Sequence, residues 1–158
     1  MKQELYLKSR PKKILFSETI QKRLRDKAIK KIKSKLLPNS KIIKLILIGS
    51  SVKNSFGKYA PPGFRGSLYS DFDFIVFVKD DYNLPKWLKK EPSAKPFLED
   101  KFNLAYRNKK FINNKHDVEV FFIKEKSCKN KRFITLAEKV GIPMSSNSKH
   151  KYIIIYKK

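Results

Sequence analysis

The sequence predicts an α/β or α+β fold, a mixed β-sheet with helices packed on one side. Short apolar runs with strand character recur at 41–48, 72–78, 117–123 and 151–156. Apolar residues at three- and four-residue steps mark helices between them, and alternation of this kind builds a layered fold. A length of 158 residues fits one domain. A domain of that size buries roughly 70% of the surface its unfolded chain exposes. The 41% hydrophobic and 13% aromatic content suits a globular core.

Residues 1–16 are basic and irregular, and Pro11 opposes an early helix. Ser17 is an N-cap residue type, and Ile20, Leu24, Ala28, Ile29, Ile32 and Leu36 form one apolar stripe over 17–37. The opposite face carries Lys22, Arg23, Lys30 and Lys33, and Pro38-Asn39-Ser40 stops the helix. Residues 41–48 are apolar on both faces, as a strand buried on two sides requires. Residues 50–57 read as a short helix. Residues 58–70, with Pro61-Pro62-Gly63 and Gly66, read as a loop. A second buried strand covers 72–78, and Asp80-Asp81-Tyr82-Asn83 turns the chain. Residues 84–108 read as largely helical, broken by Pro92 and Pro96, with Phe97, Leu98, Phe102, Leu104 and Ala105 supplying apolar faces. Asn113-Asn114-Lys115 turns into a third strand at 117–123. A helix at 129–140 stops at Gly141 and Pro143, and 151–156 is the last strand.

Lys and Arg number 38 against 14 Asp and Glu, a formal charge of +24. A field of that strength concentrates polyanions at the surface. It points to RNA or another nucleic acid as a partner, without sequence specificity. Lysine-driven solubility is the plainer account of the same charge. The Lys-rich face of the first helix is the candidate phosphate track. The single cysteine, Cys128, excludes an internal disulfide and fits a reducing compartment. Met1-Lys2-Gln3-Glu4-Leu5 lacks the apolar core of a signal peptide, and no apolar run reaches membrane-spanning length. The expectation is a cytoplasmic protein with no membrane partner.

The chemistry concentrates between Leu45 and Val78. The apolar run Leu45-Ile46-Leu47-Ile48 ends at Gly49-Ser50-Ser51, a turn that offers free N–H groups to a phosphate. Asp71 and Asp73 stand two apart at the mouth of the next strand and so share a face. Paired carboxylates repel unless a cation relieves them. Mg²⁺, a hard ion, takes carboxylate and phosphate oxygens together. Asp117 and Glu119, also two apart on one strand, are candidates for a third carboxylate. If the third strand is antiparallel to the second and adjacent, one or both reach Asp71 and Asp73.

Gly49-Ser50, then Asp71-Phe72-Asp73-Phe74, then a later strand carboxylate resembles the polymerase-β-like nucleotidyltransferase superfamily. That superfamily includes minimal nucleotidyltransferases, aminoglycoside nucleotidyltransferases, poly(A) polymerases and CCA-adding enzymes. The resemblance covers about 42–123 and implies a single nucleotidyltransferase domain over 1–158, with the basic helix at its start. It implies transfer of a nucleoside monophosphate from an NTP, ATP foremost, to a hydroxyl, with Mg²⁺ or Mn²⁺. By that likeness Gly49, Ser50 and Ser51 hold the triphosphate, and Asp71 and Asp73 are catalytic metal ligands. Val118-Glu119-Val120 is similar to the third motif of the aminoglycoside enzymes and Asp117-Val118 to that of the polymerases, so both carboxylates stay candidates. The gap from Gly49 to Asp71 is longer than usual for the family. It holds Tyr59, Pro61, Pro62, Gly63, Phe64 and Arg65, and Lys53, Lys58 and Arg65 are the candidate phosphate cations.

The charge favours RNA, such as a tRNA end, as acceptor. A partner protein is the second choice, and a small molecule explains the charge least. The rival from another class is a non-catalytic nucleic-acid-binding module of the same fold. His116 reads as a turn-edge histidine and His150 has no nameable partner. Trp87, Tyr106 and Tyr152 read as core or rim packing, with base stacking as the alternative.

Overall fold

The structure, a computed structural model, describes residues 12–37, 39–60, 62, 68–90 and 105–158. In chain order it contains β1 (Lys12–Leu15), α1 (Glu18–Leu36), β2 (Ile42–Ile48), β3 (Gly57–Ala60), β4 (Phe72–Val78), β5 (Lys89–Lys90), β6 (Ala105–Ile112) and β7 (His116–Lys124). A 3-10 turn (Glu125–Lys129), α2 (Lys131–Lys139) and β8 (Ile153–Lys157) follow. Six strands form one mixed sheet in the order β5-β6-β7-β4-β2-β8, and β1 pairs with β3 in a separate ribbon. The mixed sheet with helices is an α+β fold, as the sequence predicts.

Strand alternation divides the core into two layers. Leu45 and Leu47 of β2, Phe72, Phe74, Val76 and Val78 of β4, and Val118, Val120 and Phe122 of β7 pack with Leu24, Ala28, Ile32 and Leu36 of α1. The intervening residues Ile46, Ile75, Phe77 and Ile123 pack with Phe133 and Ala137 of α2. One helix therefore lies on each face, rather than both behind one. Two-sided burial explains why β2 and β4 read as continuous apolar runs.

Helix α1 starts as expected, with the Ser17 Oγ accepting the Ile20 N–H at 3.3 Å. Its buried stripe is shifted, however. Ile20 is 42% exposed and Gln21 takes the inner position. The Gln21 amide donates to the Phe16 carbonyl at 2.7 Å and accepts the Phe56 N–H at 3.1 Å. Both ends of that buried amide are satisfied, which removes the usual cost of burying it. The far end of α1 is tied to the β6–β7 hairpin, where Lys27 donates to the Asn113 side chain and Lys31 to the Phe111 carbonyl.

Four local expectations are corrected. Residues 50–54 form a turn, not a short helix, and 57–60 form β3, whose Lys58 bridges to Tyr69. Within 84–108, residues 89–90 and 105–108 are strand; Pro92, Pro96, Phe97, Leu98, Phe102 and Leu104 lie outside the described residues. Strand β6 was hidden because Arg107, Lys109 and Lys110 break its apolar alternation. Finally, β7 does lie beside β4, but parallel to it. The antiparallel neighbour of β7 is β6.

His116 is buried, not at a turn edge. Its ring meets Phe16, Phe56, Tyr69 and Phe72, from four separate segments. Its Nδ1 lies 2.9 Å from the Ser70 carbonyl, which can only accept, so Nδ1 carries the proton. Burial lowers the His116 pKa from its ordinary 6.5, against the Ser70 contact. The unfolded ring therefore takes up a proton first, and acidification below about 6.5 favours unfolding. The difference in melting midpoint between His116→Phe and wild type should therefore move in favour of the variant from neutral pH down to about 5. A pH-independent difference would remove His116 as a cause.

Candidate active site

The pairing of β4 with β7 sets Asp73 opposite Glu119. On the other side of β7, Arg107 of β6 also faces Glu119, and on the other side of β4, Ile48 faces Asp73. A row across four strands thus reads Ile48, Asp73, Glu119, Arg107. It lies on the α2 face of the sheet, since Asp73 alternates in phase with Ile75 and Phe77. The α2 contacts sit at the Ile75–Phe77 end. Asp71 and Asp117 stand two residues before Asp73 and Glu119, at the entrance of the same two parallel strands.

Arg107 links these carboxylates. Its Nη1 donates to Asp71 Oδ2 and Asp117 Oδ2, each at 3.0 Å, and its Nη2 donates to Glu119 Oε2. Asp117 is held twice, because its Oδ1 also accepts the Lys110 N–H at 2.8 Å. Lys110 has a left-handed backbone (φ 54°), at the irregular stretch where the β6–β7 register shifts. Asp117 thus secures a bulge and a guanidinium, whereas Glu119 stands in register with Asp73.

Burial and charge act together here. Burial, then Glu119 and Asp71, push the Asp73 carboxyl up to about 8. Burial also raises Asp71 above the ordinary carboxylate range, against the pull of Arg107. Burial opposes the Arg107 charge, but Asp71 and Glu119 more than offset it and hold the guanidinium charged. Like charges held this close are a common property of catalytic and cation-binding sites.

The Gly49-Ser50-Ser51 turn closes the site from β2. Gly49 has φ +84°, and a Cβ there would stand 2.5 Å from Asp73 Oδ2. Only glycine lets the turn lie against that carboxylate. The Gly49 carbonyl accepts the N–H groups of Val52 and Lys53 at 3.1 and 3.3 Å. The N–H groups of Ser50 and Ser51 have no acceptor among the described residues. The Ser51 side chain is buried, and its Oγ likewise has no partner.

Of the expected site residues, Gly49, Ser50, Ser51, Asp71, Asp73, Asp117 and Glu119 come together through β2, β4 and β7. Lys53 is exposed in the same turn and Lys58 is exposed on β3. Arg65 lies outside the described residues. Two cations were missed. Arg107 sits in a segment that read as helix, and Lys13 of β1, whose charge is felt at Asp73, precedes every motif. His150 gains a partner, its Nε2 lying 2.7 Å from the Glu138 carbonyl. Trp87 stacks on Phe111, and Tyr106 meets Phe122 edge-on, which is core and rim packing.

Among the described residues, no three His, Cys, Asp or Glu converge as a ready-made metal-binding group, and no helix is long and apolar enough to cross a membrane. The chain matches no known protein-family profile and no curated protein.

Two stability measurements check this geometry. Gly49→Ala should cost about 1–2 kcal/mol from its left-handed backbone alone, and more through Asp73. In an Asp73→Ala background the added cost should shrink, because the remaining Cβ is at an ordinary 3.5 Å. Strict additivity would mean the two groups do not touch. Because the Asp73 carboxyl is raised from 3.8 to about 8, the stability it contributes is present below the lower value and lost as pH rises through the upper one. Asp73→Asn should therefore stabilise the metal-free protein more at about pH 9 than at about pH 5. An equal effect at both would contradict the raised pKa.

Proposed function

We propose that the protein is a metal-dependent nucleotidyltransferase, moving a nucleoside monophosphate from an NTP, ATP foremost, to a hydroxyl acceptor. The observation that carries this is the register of Asp73 against Glu119, with Asp71 beside them and the Gly49 turn against Asp73. The donor set suits Mg²⁺ or Mn²⁺, since hard ions take carboxylate oxygens. Ionised Asp73 in its buried place gains most from a cation. Asp71, Asp73 and Glu119 do not converge on one point in the metal-free chain; drawn in by a cation, they would hold the ions, which would supply charge neutralisation to the triphosphate.

The chain's own groups account for the rest. The N–H groups of Ser50 and Ser51, which have no acceptor among the described residues, bind phosphate oxygens, and Lys53 adds positive charge from the same turn. The acceptor oxygen bonds to the α-phosphorus, the bond to the β-phosphate oxygen breaks, and pyrophosphate leaves. The proton of the acceptor hydroxyl passes to a Glu119 carboxylate oxygen as the new bond forms. The double tether on Asp117 supports Glu119 as the third carboxylate and Asp117 as a positioning group.

RNA is the acceptor that a charge of +24 favours. The exposed Lys22, Arg23, Lys27 and Lys30 of α1 supply a track for its backbone. The protein should incorporate α-labelled NTP into total RNA when Mg²⁺ or Mn²⁺ is present. Asp71→Asn, Asp73→Asn and Glu119→Gln should each lower incorporation by at least about a hundredfold. Asp117→Asn should cost only about tenfold, as a residue supporting a ligand does. Full activity in Asp71→Asn and Asp73→Asn would sink the proposal. Salt-sensitive RNA binding without nucleotide binding would favour the non-catalytic module, and label found on protein would make a partner protein the acceptor.

A further inference from the structure

Arg107 is the member of the site that no motif announced. Its side chain is 14% exposed, and its fork spans carboxylates on two other strand segments. Asp71 and Glu119 each meet it through one oxygen, while Asp117 is anchored at both. A cation drawn to Asp71 and Glu119 would compete with the guanidinium for the same oxygens. Two positive groups cannot both approach those atoms closely without strong repulsion in a half-buried site.

We infer that Arg107 is the built-in counter-ion of the site: it holds Asp71 and Glu119 in the metal-free protein and cedes both to a divalent cation, with Asp117 keeping hold of its guanidinium. The inference rests on the metal-binding role proposed above for Asp71 and Glu119. Its physical content is a negative coupling between the guanidinium contact and cation binding. Such coupling is reciprocal: the cation weakens the arginine contact by the factor that the arginine weakens the cation. A planar fork is also what the position demands, because a lysine ammonium is a point charge that cannot span the three carboxylates.

Mn²⁺ binding to the nucleotide-free full chain tests this, read by titration calorimetry or by the spin resonance of free Mn²⁺. Arg107→Gln should bind Mn²⁺ at least about fivefold more tightly than the wild type. Arg107→Lys keeps the charge and loses the fork, so it should also bind more tightly. Both variants should melt lower without metal and regain more stability on adding Mn²⁺. If Arg107→Lys binds as the wild type does, the arginine is only background charge and the inference is overturned. Equal or weaker binding by both variants overturns it as well. An Arg107→Gln chain that folds only with Mn²⁺ supports it; one that folds under neither condition leaves Arg107→Lys to decide. The labelled-nucleotide assay on the same preparations separates the two ideas. Tighter Mn²⁺ binding without any incorporation keeps the counter-ion and overturns the transferase, and incorporation with unchanged Mn²⁺ affinity does the reverse.

Discussion

Strands β4 and β7 run parallel in unbroken register, from Phe72 against Val118 to Val78 against Lys124. The side chains that fix this register are on the face opposite the site. Phe72, Phe74, Val76, Val118, Val120 and Phe122 are each 1% exposed or less and pack towards α1. A slip of one residue would turn those rings and branched chains to the wrong side, so the core does not tolerate it. Carboxylates have no means of aligning themselves, since they repel. Apolar packing on one face sets their positions on the other.

The sheet was legible where burial is two-sided and local. Residues 42–48 and 72–78 are near-continuous apolar runs, 117–123 alternates before turning fully apolar, and α1 carries its cap and stripe in its own sequence. What could not be read depends on partners distant in the chain. Whether β7 lies parallel or antiparallel to β4 is decided by β6, which takes the antiparallel edge of β7 and is itself masked by its lysines. The His116 cage draws on Phe16, Phe56, Tyr69 and Phe72, each unremarked alone. The inner place of Gln21 carries no sequence signal, because its two backbone partners, Phe16 and Phe56, belong to different segments.

The same contrast holds at the site. Gly49, Asp71 and Asp73 announce themselves because a tight turn and a two-residue carboxylate spacing are local patterns. The distinction between Asp117 and Glu119 is not local. It comes from the Lys110 N–H, the left-handed bulge and the register with Asp73, none of which a spacing encodes. Arg107 carried no signal in a chain with 38 cations. Its weight comes from position: it stands in a row with Glu119 and Asp73, where neighbouring carboxylates hold its charge against the cost of burial.

The order of strands along the chain gives the arginine a second consequence, for assembly. β6 and β7 form a hairpin, so Arg107 meets Asp117 and Glu119 across a short loop. Contacts of short sequence separation close soonest, and parallel pairing with β4 spans a longer loop. By contact order, the hairpin would present two carboxylates already paired with a guanidinium before Asp71 and Asp73 arrive. Acidic strand ends that would repel across the β4–β7 seam instead meet a shared positive group. In a sheet that brings four carboxylates to one end, the arginine supplies positive charge that a metal ion would otherwise have to bring.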